Sequence, residues 1–173
     1  MQRVKIDKLL RGLIGMLLVA LVYTIYAGIH QRVIGVGDTA PSFAITTDSG
    51  RAVAIPDFGG KLLVLNFWAS WCPPCLEEMP SMNQFAKDFA GSGVVVLGIS
   101  VDKDEKAYKT VISRVRPTFQ IVRDPETKIN ADYGTFQYPE TYIINPEGKV
   151  IQKIIGPADW TDPKMTGYIK SLL

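Results

Sequence analysis

The two cysteines constrain the fold most, because they stand where one structural pattern ends and another begins. Before them, residues 62–67 form a nearly continuous apolar run, which is typical of a strand covered on both faces. After them, apolar residues recur at helical spacing over residues 74–90, and Gly91 is a suitable end signal. The sequence therefore predicts that Cys72 and Cys75 lie at the start of a helix that follows a buried strand.

Similar patterns along the rest of the chain predict an α/β sheet with helices on its faces. Two short runs flank an Asp-Ser-Gly turn at residues 48–50 and predict a β-hairpin ahead of the sheet. Further strands are predicted over residues 94–101, 119–122, 141–144 and 149–155, the last two as an antiparallel hairpin, and helices over 105–115, 125–133 and 162–172. Parallel strands joined through helices place their carboxyl ends at one edge of the sheet, where we expect the cysteines.

An uncharged run of 18 residues, 12–29, precedes this domain and is long enough for about one bilayer crossing. Basic residues outnumber acids ahead of it, so the positive-inside rule puts the N-terminus in the cytoplasm. We predict a cytoplasmic basic tail over residues 1–11, a single transmembrane anchor over 12–30, a tether over 31–41 and the folded domain over 42–173, outside the cytoplasmic membrane. A cleaved signal peptide and a buried core helix are the alternatives, although bulky residues occupy the place of a cleavage site.

Charge and ligand count argue against two other classes of function. The net charge of +2 belongs to the basic tail, so the predicted domain is nearly neutral and lacks the footprint of a nucleic-acid-binding protein. Zinc and copper sites need more ligands than two cysteines, and the one histidine, His30, lies at the predicted membrane edge. We therefore predict no metal and no cofactor other than a redox-active Cys72–Cys75 disulfide.

The spacing of the cysteines favours redox chemistry over a structural bridge, because closing so short a loop adds little stability. A helix N-terminus favours a thiolate, which makes Cys72 the predicted nucleophile. Cys75 is then the residue that resolves the mixed disulfide and leaves a Cys72–Cys75 bridge. Pro73 and Pro74 stand between the two cysteines and stiffen the turn.

The residues around the cysteines resemble the thioredoxin superfamily, and more narrowly its membrane-anchored ResA/TlpA-like and CcmG-like reductases. The resemblance rests on residues 62–80, on an opening motif at 37–43, on the Tyr-Pro-Glu-Thr-Tyr sequence at 138–142 and on the Asn-Pro-Glu-Gly-Lys sequence at 145–149. It spans about residues 36–160, although the opening motif is shared with peroxiredoxins. The resemblance implies a thioredoxin-like fold with an N-terminal β-hairpin extension.

The resemblance also implies roles for residues on both sides of the cysteines. Pro139 is expected to be cis and to pack beside the cysteines, which exposes the backbone of Tyr138 for pairing with an extended substrate segment. Together with Trp71, Pro73 and Pro74, these two residues form the predicted substrate-binding surface.

Glu78, three residues after Cys75, matches a glutamate of the ResA-like group and is predicted to act in catalysis as a proton relay for Cys75. Asn66 stands where ordinary thioredoxins carry a buried acid, and it cannot accept a proton. If Glu78 is buried, its pKa is raised. The alternative is that Glu77 and Glu78 only complement the helix dipole.

The resemblance implies a thiol-disulfide reductase that acts outside the cytoplasm. The implied substrates are oxidised cysteine pairs of secreted proteins, with apocytochrome c before haem attachment as the leading one. The implied electron donor is a membrane thiol transporter of the DsbD or CcdA type. Cysteine spacing does not reveal the direction of electron flow, so an oxidase or an isomerase is the alternative. A thiol peroxidase and a metal carrier fit the sequence less well.

Overall fold

A computed structural model describes residues 2–29, 33–47, 50 and 52–173. The chain divides into two compact units, Met1–Arg32 and Val33–Leu173. The first unit contains helix α1, Gln2–Ile29. The single transmembrane helix predicted over residues 12–30 is not found: within the described residues, no helix has both the length and the apolarity of a membrane span. Residue 30 and the side chains of residues 26–29 lie outside the described set.

The second unit begins with residues that the sequence assigned to a tether. Residues 33–41 instead lie against the domain, where the Gly37 N–H donates to Val150 O at 2.8 Å and the Val150 N–H donates to Asp38 O at 2.9 Å. Gly37 has a φ of 93°, which lets the chain turn at this point, and Ile34 is buried in the core. The folded domain therefore includes this segment.

Strands β1, Ala44–Thr46, and β2, Ala52–Ala54, form the antiparallel hairpin that the sequence predicts. The turn residues 48 and 49, and residue 51, lie outside the described residues. A short 3-10 helix, Ile55–Phe58, follows β2 and leads to the central sheet.

Five strands form a mixed central sheet with the order β5-β4-β3-β6-β7. They are β3, Leu62–Trp68; β4, Val94–Ser100; β5, Gln120–Arg123; β6, Glu140–Ile144; and β7, Val150–Ile155. The pairs β3–β4 and β4–β5 are parallel, and β6 runs antiparallel to both β3 and β7. This arrangement confirms the predicted thioredoxin-like α/β fold and its C-terminal hairpin.

Four helices accompany the sheet: α2, Pro73–Asp88; α3, Glu105–Val115; α4, Lys128–Tyr133; and α5, Pro163–Ser171. Two of them begin at an aspartate cap. Asp104 Oδ1 accepts the backbone N–H groups of Lys106 and Ala107 at the start of α3, and Asp162 Oδ1 accepts the N–H of Lys164 at the start of α5. Such caps satisfy amides that the helix itself leaves unpaired.

Strand β3 is buried along its whole length because packing covers both faces of the sheet. Its alternate residues join different clusters: Leu65 and Phe67 pack with Tyr142, whereas Val64 packs with Phe85. This two-sided burial is the physical reason for the nearly continuous apolar run in the sequence.

Three strand ends meet at one edge of the sheet. Trp68 ends β3 beside Ser100, which ends β4, and Phe67 pairs with Glu140, which begins β6. The segments after β3 and β4 and the segment before β6 are therefore brought together at the carboxyl edge, where sites form in such folds.

Candidate active site

The two cysteines occupy the first turn of helix α2. Cys72 is the N-cap residue, and Pro73 and Pro74 follow at the start of the helix, where a missing backbone N–H costs nothing. The Cys72 and Cys75 sulfurs form a disulfide, with 5.3 Å between the Cα atoms. The Cys75 N–H also donates to Cys72 Sγ at 3.3 Å. An amide at a helix N-terminus stabilises negative charge on this sulfur once the disulfide is reduced.

The two sulfurs differ in how far a partner can reach them. Cys72 is 5% exposed and Cys75 is fully buried, so attack on or by an external sulfur involves Cys72. Trp71 beside it is 63% exposed and lies edge-to-face against Tyr138, with 5.7 Å between the ring centroids. The nucleophile predicted from the sequence is thus a recessed sulfur flanked by an exposed aromatic side chain.

The loop before β6 completes the surface around the cysteines. The Tyr138–Pro139 peptide bond is cis, as the family resemblance implies. Pro139 is buried and its carbonyl accepts the Gly156 N–H at 2.9 Å. Tyr138 packs in the same cluster as both cysteines, and its hydroxyl donates to Asn130 Oδ1 at 2.8 Å.

Of the other residues predicted to bind substrate, Pro73 is exposed and Pro74 is half-buried at the start of α2. The structure therefore brings Trp71, Pro73, Pro74, Tyr138 and the cysteines to one edge of the sheet. The binding role of these residues stays a prediction.

Glu78 lies one helical turn beyond Cys75 and is buried, with 4% of its surface exposed. Asn66 Nδ2 donates to Glu78 Oε1 at 2.8 Å, and the Ala158 N–H donates to Glu78 Oε2 at 3.1 Å. Asn66 Nδ2 also donates to Thr141 Oγ1 at 2.9 Å, which links the carboxylate to strand β6. Glu77, in contrast, is exposed.

Burial raises the pKa of Glu78 above its ordinary value because water no longer stabilises the charge. The hydrogen bonds from Ala158 and Asn66 lower the pKa but do not cancel this effect. The nearby Trp160 indole also lowers the pKa of Glu78. Its Nε1 atom has no hydrogen-bond partner among the described residues. Glu78 is among the residues that line an open cleft with Pro157.

A buried carboxylate that the sequence analysis did not single out lies behind the turn before the cysteines. Asp102 is 1% exposed and accepts hydrogen bonds from the Ser70 N–H at 2.8 Å, from Ser70 Oγ at 2.7 Å and from Ser100 Oγ at 2.7 Å. The available signal was weak: Ser70 and Asp102 each come two residues after the end of a buried strand.

A buried ion pair beside Pro139 was also missed. Glu140 is fully buried and lies 2.7 Å from Lys153 Nζ, and it accepts a hydrogen bond from the Tyr142 hydroxyl. Lys153 is paired across the β6–β7 hairpin with Tyr142 and lies 4.9 Å from the centre of that ring. The pair fixes the start of β6, directly after the cis-proline loop.

Candidate metal ligands do not gather in the described part of the chain: no group of three or more His, Cys, Asp and Glu side chains could hold an ion there. Cys72 and Cys75 form a disulfide, and its redox activity stays a prediction.

Comparison with known proteins supports the family resemblance over most of the domain. The model of the AhpC/TSA family matches residues 36–153. A relative named thiol-disulfide oxidoreductase ResA from Bacillus thuringiensis is 31% identical over 172 residues, covering 98% of this chain and 94% of that protein. The thioredoxin-like protein YneN of Bacillus subtilis is 38% identical over 152 residues, covering 83% of this chain and 88% of that protein.

Solved structures agree with this relationship. A thiol-disulfide oxidoreductase from Bacteroides fragilis superposes with a TM-score of 0.67 at 27% identity, covering 79% of this chain and all of that one. StoA from Bacillus subtilis superposes with a TM-score of 0.63 at 26% identity, covering 69% of this chain and 91% of that one. The chain therefore belongs to the AhpC/TSA family and, within its thioredoxin-like members, to the ResA-like thiol-disulfide oxidoreductases.

Proposed function

We propose that this thiol-disulfide oxidoreductase works as a reductase of disulfides in extracytoplasmic proteins. The observation that carries the exchange chemistry is the position of Cys72 at the start of α2, where it is the more exposed cysteine and the Cys75 amide is directed at its sulfur. The similarity to proteins named ResA supports the reducing direction. This arrangement favours a thiolate at Cys72 in the reduced protein. The surrounding Trp71 and Tyr138 offer a surface on which an extended partner segment can lie.

The reaction begins from the reduced protein. The Cys72 thiolate attacks one sulfur of the partner's disulfide, forms a mixed disulfide and releases the partner's other sulfur as a thiolate. Cys75 then loses its proton and attacks Cys72 Sγ. The Cys72–Cys75 bond forms, the bond to the partner breaks, and two electrons have passed to the partner, which leaves as a dithiol.

Glu78 is the proposed acceptor of the Cys75 proton. It follows Cys75 by one turn of α2. Its pKa is raised, so it binds a proton more readily near neutral pH than an exposed carboxylate does. The cleft beside Pro157 lets the proton leave to solvent. Asn66 holds the carboxylate in place through its hydrogen bond to Oε1.

The proposed substrates are oxidised cysteine pairs of secreted proteins, with apocytochrome c before haem attachment as the leading candidate. Support comes from the similarity to proteins named ResA and from the sequence motifs around the cysteines. A reductase in an oxidising compartment has to be reduced again, so a membrane thiol transporter of the DsbD or CcdA type is the proposed electron donor.

The proposed location is the outer face of the cytoplasmic membrane, with the N-terminus in the cytoplasm. Support for this comes from the sequence, in which an uncharged run over residues 12–29 follows a basic tail. Two reporters fused after residue 173 test this location, one that is active only outside the cytoplasm and one that is active only inside it. We expect activity from the first reporter; activity from the second alone would contradict the proposed location.

The catalytic roles are tested by replacing each cysteine and measuring insulin disulfide reduction. Cys72→Ala is expected to abolish turnover and to form no mixed disulfide, because the nucleophile is gone. Cys75→Ala is expected to accumulate a mixed disulfide with the partner, since nothing resolves it. Multiple turnovers by either variant would contradict the mechanism.

The direction of electron flow has its own test. A reduction potential measured near or above about −150 mV would indicate an oxidase rather than a reductase, because that range approaches the potential of strong disulfide donors. Hydroperoxide turnover by Cys75→Ala would indicate a peroxidase, and tight stoichiometric copper would indicate a metal carrier. Partners trapped in cells by Cys75→Ala would identify the substrate.

A further inference from the structure

The turn between strand β3 and helix α2 is fastened to a carboxylate from the neighbouring strand. Asp102 follows the end of β4, and its Oδ2 accepts the Ser70 N–H while its Oδ1 accepts the Ser70 hydroxyl. Ser100 Oγ donates to the same Oδ2, so three donors converge on one carboxylate that is 1% exposed.

Further bonds hold both sides of this contact. The Cys72 N–H donates to Ala69 O at 3.2 Å, which closes the turn immediately before the helix. The Val101 N–H donates to Trp68 O at 3.0 Å and continues the parallel pairing of β3 and β4 up to the turn. Ser70, which lies between these two bonds, is therefore the point at which the turn is tied to its neighbour.

The position of this turn decides where the Cys72 sulfur lies. Cys72 Sγ receives the Cys75 N–H at 3.3 Å, so the sulfur lies directly at the N-terminus of the helix. A displacement of the turn would lengthen that contact and move the sulfur away from the helix N-terminus. Both changes weaken the stabilisation of a thiolate at position 72.

We propose that Asp102 is a positioning residue, which acts through Ser70 to hold the Cys72 sulfur at the start of helix α2. The proposal rests on the thiol-disulfide exchange proposed above. It assigns Asp102 no contact with the substrate and no proton transfer. Its effect is geometric, so it depends on the hydrogen bonds that Asp102 accepts and not on its charge.

Two serine variants separate this role from a general loss of stability. Ser70→Ala and Ser100→Ala each remove one hydroxyl that donates to Asp102 at 2.7 Å, and Ser100→Ala also removes the acceptor of the Asp102 N–H at 3.1 Å. Only Ser70 belongs to the turn that leads to Cys72, whereas Ser100 lies within β4. We therefore expect Ser70→Ala to affect Cys72 more strongly than Ser100→Ala does.

Two replacements of Asp102 separate geometry from charge. Asp102→Asn is nearly isosteric: its carbonyl oxygen can accept the Ser70 N–H and the Ser100 hydroxyl, and its NH₂ can donate to Ser70 Oγ, since a hydroxyl also accepts. Asp102→Ala removes all three bonds. If position is what matters, the asparagine variant retains the properties of Cys72 and the alanine variant loses them.

The readout is the pH dependence of iodoacetamide alkylation of Cys72 in proteins that also carry Cys75→Ala, so that a single thiol reacts. Asp102→Ala is expected to slow alkylation at pH 7 about tenfold, which corresponds to a thiol pKa raised by about one. Ser70→Ala is expected to give about a threefold loss, and both Ser100→Ala and Asp102→Asn less than twofold. Urea denaturation of the same proteins measures stability separately.

Three results would overturn the proposal. Equal effects of Ser70→Ala and Ser100→Ala on Cys72 would show that Asp102 does not act through Ser70. An Asp102→Asn effect as large as that of Asp102→Ala would show that the reactivity of Cys72 depends on the charge of Asp102 and not on the position of the turn. An Asp102→Ala protein that is folded and has an unchanged alkylation profile would remove the role altogether.

The alkylation readout does not require turnover. The proposed function is judged by insulin reduction with the protein that carries both cysteines, and its failure leaves the measurement on Cys72 intact. The two proposals can therefore fail independently of each other.

Discussion

Glu78 offers a test of the electrostatics of the site through the pH dependence of stability. Its side chain is 4% exposed, and burial raises its pKa despite the hydrogen bonds from Asn66 and Ala158. Glu78→Gln keeps the shape of the side chain but removes its titration. The difference in unfolding free energy between this variant and the original protein therefore isolates the one proton that Glu78 binds.

The sign of the effect follows from proton binding in the two states. In the unfolded chain Glu78 titrates near its ordinary pKa of 4.5, whereas the folded protein holds the proton to higher pH. Between these two pKa values the folded state binds more protons, so stability falls as pH rises. The stabilising contribution is complete below about pH 4.5 and is lost as pH rises through the folded-state pKa.

The slope of this loss has an upper limit of one proton, which is about 1.4 kcal/mol per pH unit. Glu78→Gln lacks the slope. The unfolding free energy of the variant minus that of the original protein should therefore increase with pH and level off above the folded-state pKa of Glu78. Where it levels off gives that pKa directly.

Urea denaturation of the disulfide-bonded proteins, repeated from pH 4 to pH 8, measures this difference. Glu77→Gln is the matched control, because it makes the same chemical change at an exposed neighbour on the same helix turn. The control should show no comparable rise. A Glu78→Gln difference that stays flat or falls with increasing pH would refute the argument that burial governs this carboxyl group.

Two further substitutions test the packing around the site by urea denaturation. Lys153→Met should cost about 3 kcal/mol, because it leaves the buried Glu140 without its cation; a loss below about 1 kcal/mol would mean that water or Tyr142 compensates. Gly98→Ala should cost about 1–2 kcal/mol through overpacking, since its Cβ would lie 3.2 Å from the Nε1 atom of the fully buried Trp68. Gly167→Ala, where a Cβ meets nothing within 4 Å, is the control and should be neutral or stabilising.

The sequence predicted those parts of the fold that depend on local periodicity. The helix predicted over residues 105–115 is found as Glu105–Val115, and the apolar run before the cysteines is strand β3. Cys72 and Cys75 at the start of α2 could be predicted because a buried strand pattern and a helical pattern meet there. Each of these conclusions needs only neighbouring residues.

Side-chain contacts that depend on the register between strands were not predicted. The contact between Ser70 and Asp102 exists because Trp68 and Ser100 are in register at the ends of two parallel strands. Periodicity predicts each strand but not the register between them. The Glu140–Lys153 pair likewise depends on the register of a hairpin that contains a bulge.

The cis bond before Pro139 was predicted from neither periodicity nor strand register. Cis bonds are uncommon before proline, and nothing in the local sequence requires one here. The expectation came from the family resemblance alone, and the structure confirms it. The proposed role of Glu78 also began with that resemblance, whereas its burial and its hydrogen bonds could be known only from the structure.

The recessed position of Cys72 limits which disulfides this protein can exchange with. Exchange requires three sulfur atoms to align, so a partner's bond has to project far enough to meet the sulfur of a residue that is only 5% exposed. A flexible, protruding segment can present its bond in this way, but a disulfide enclosed in a folded neighbour cannot. The recessed position of Cys72 therefore favours exchange with protruding disulfides of flexible chains over the enclosed disulfides of folded proteins.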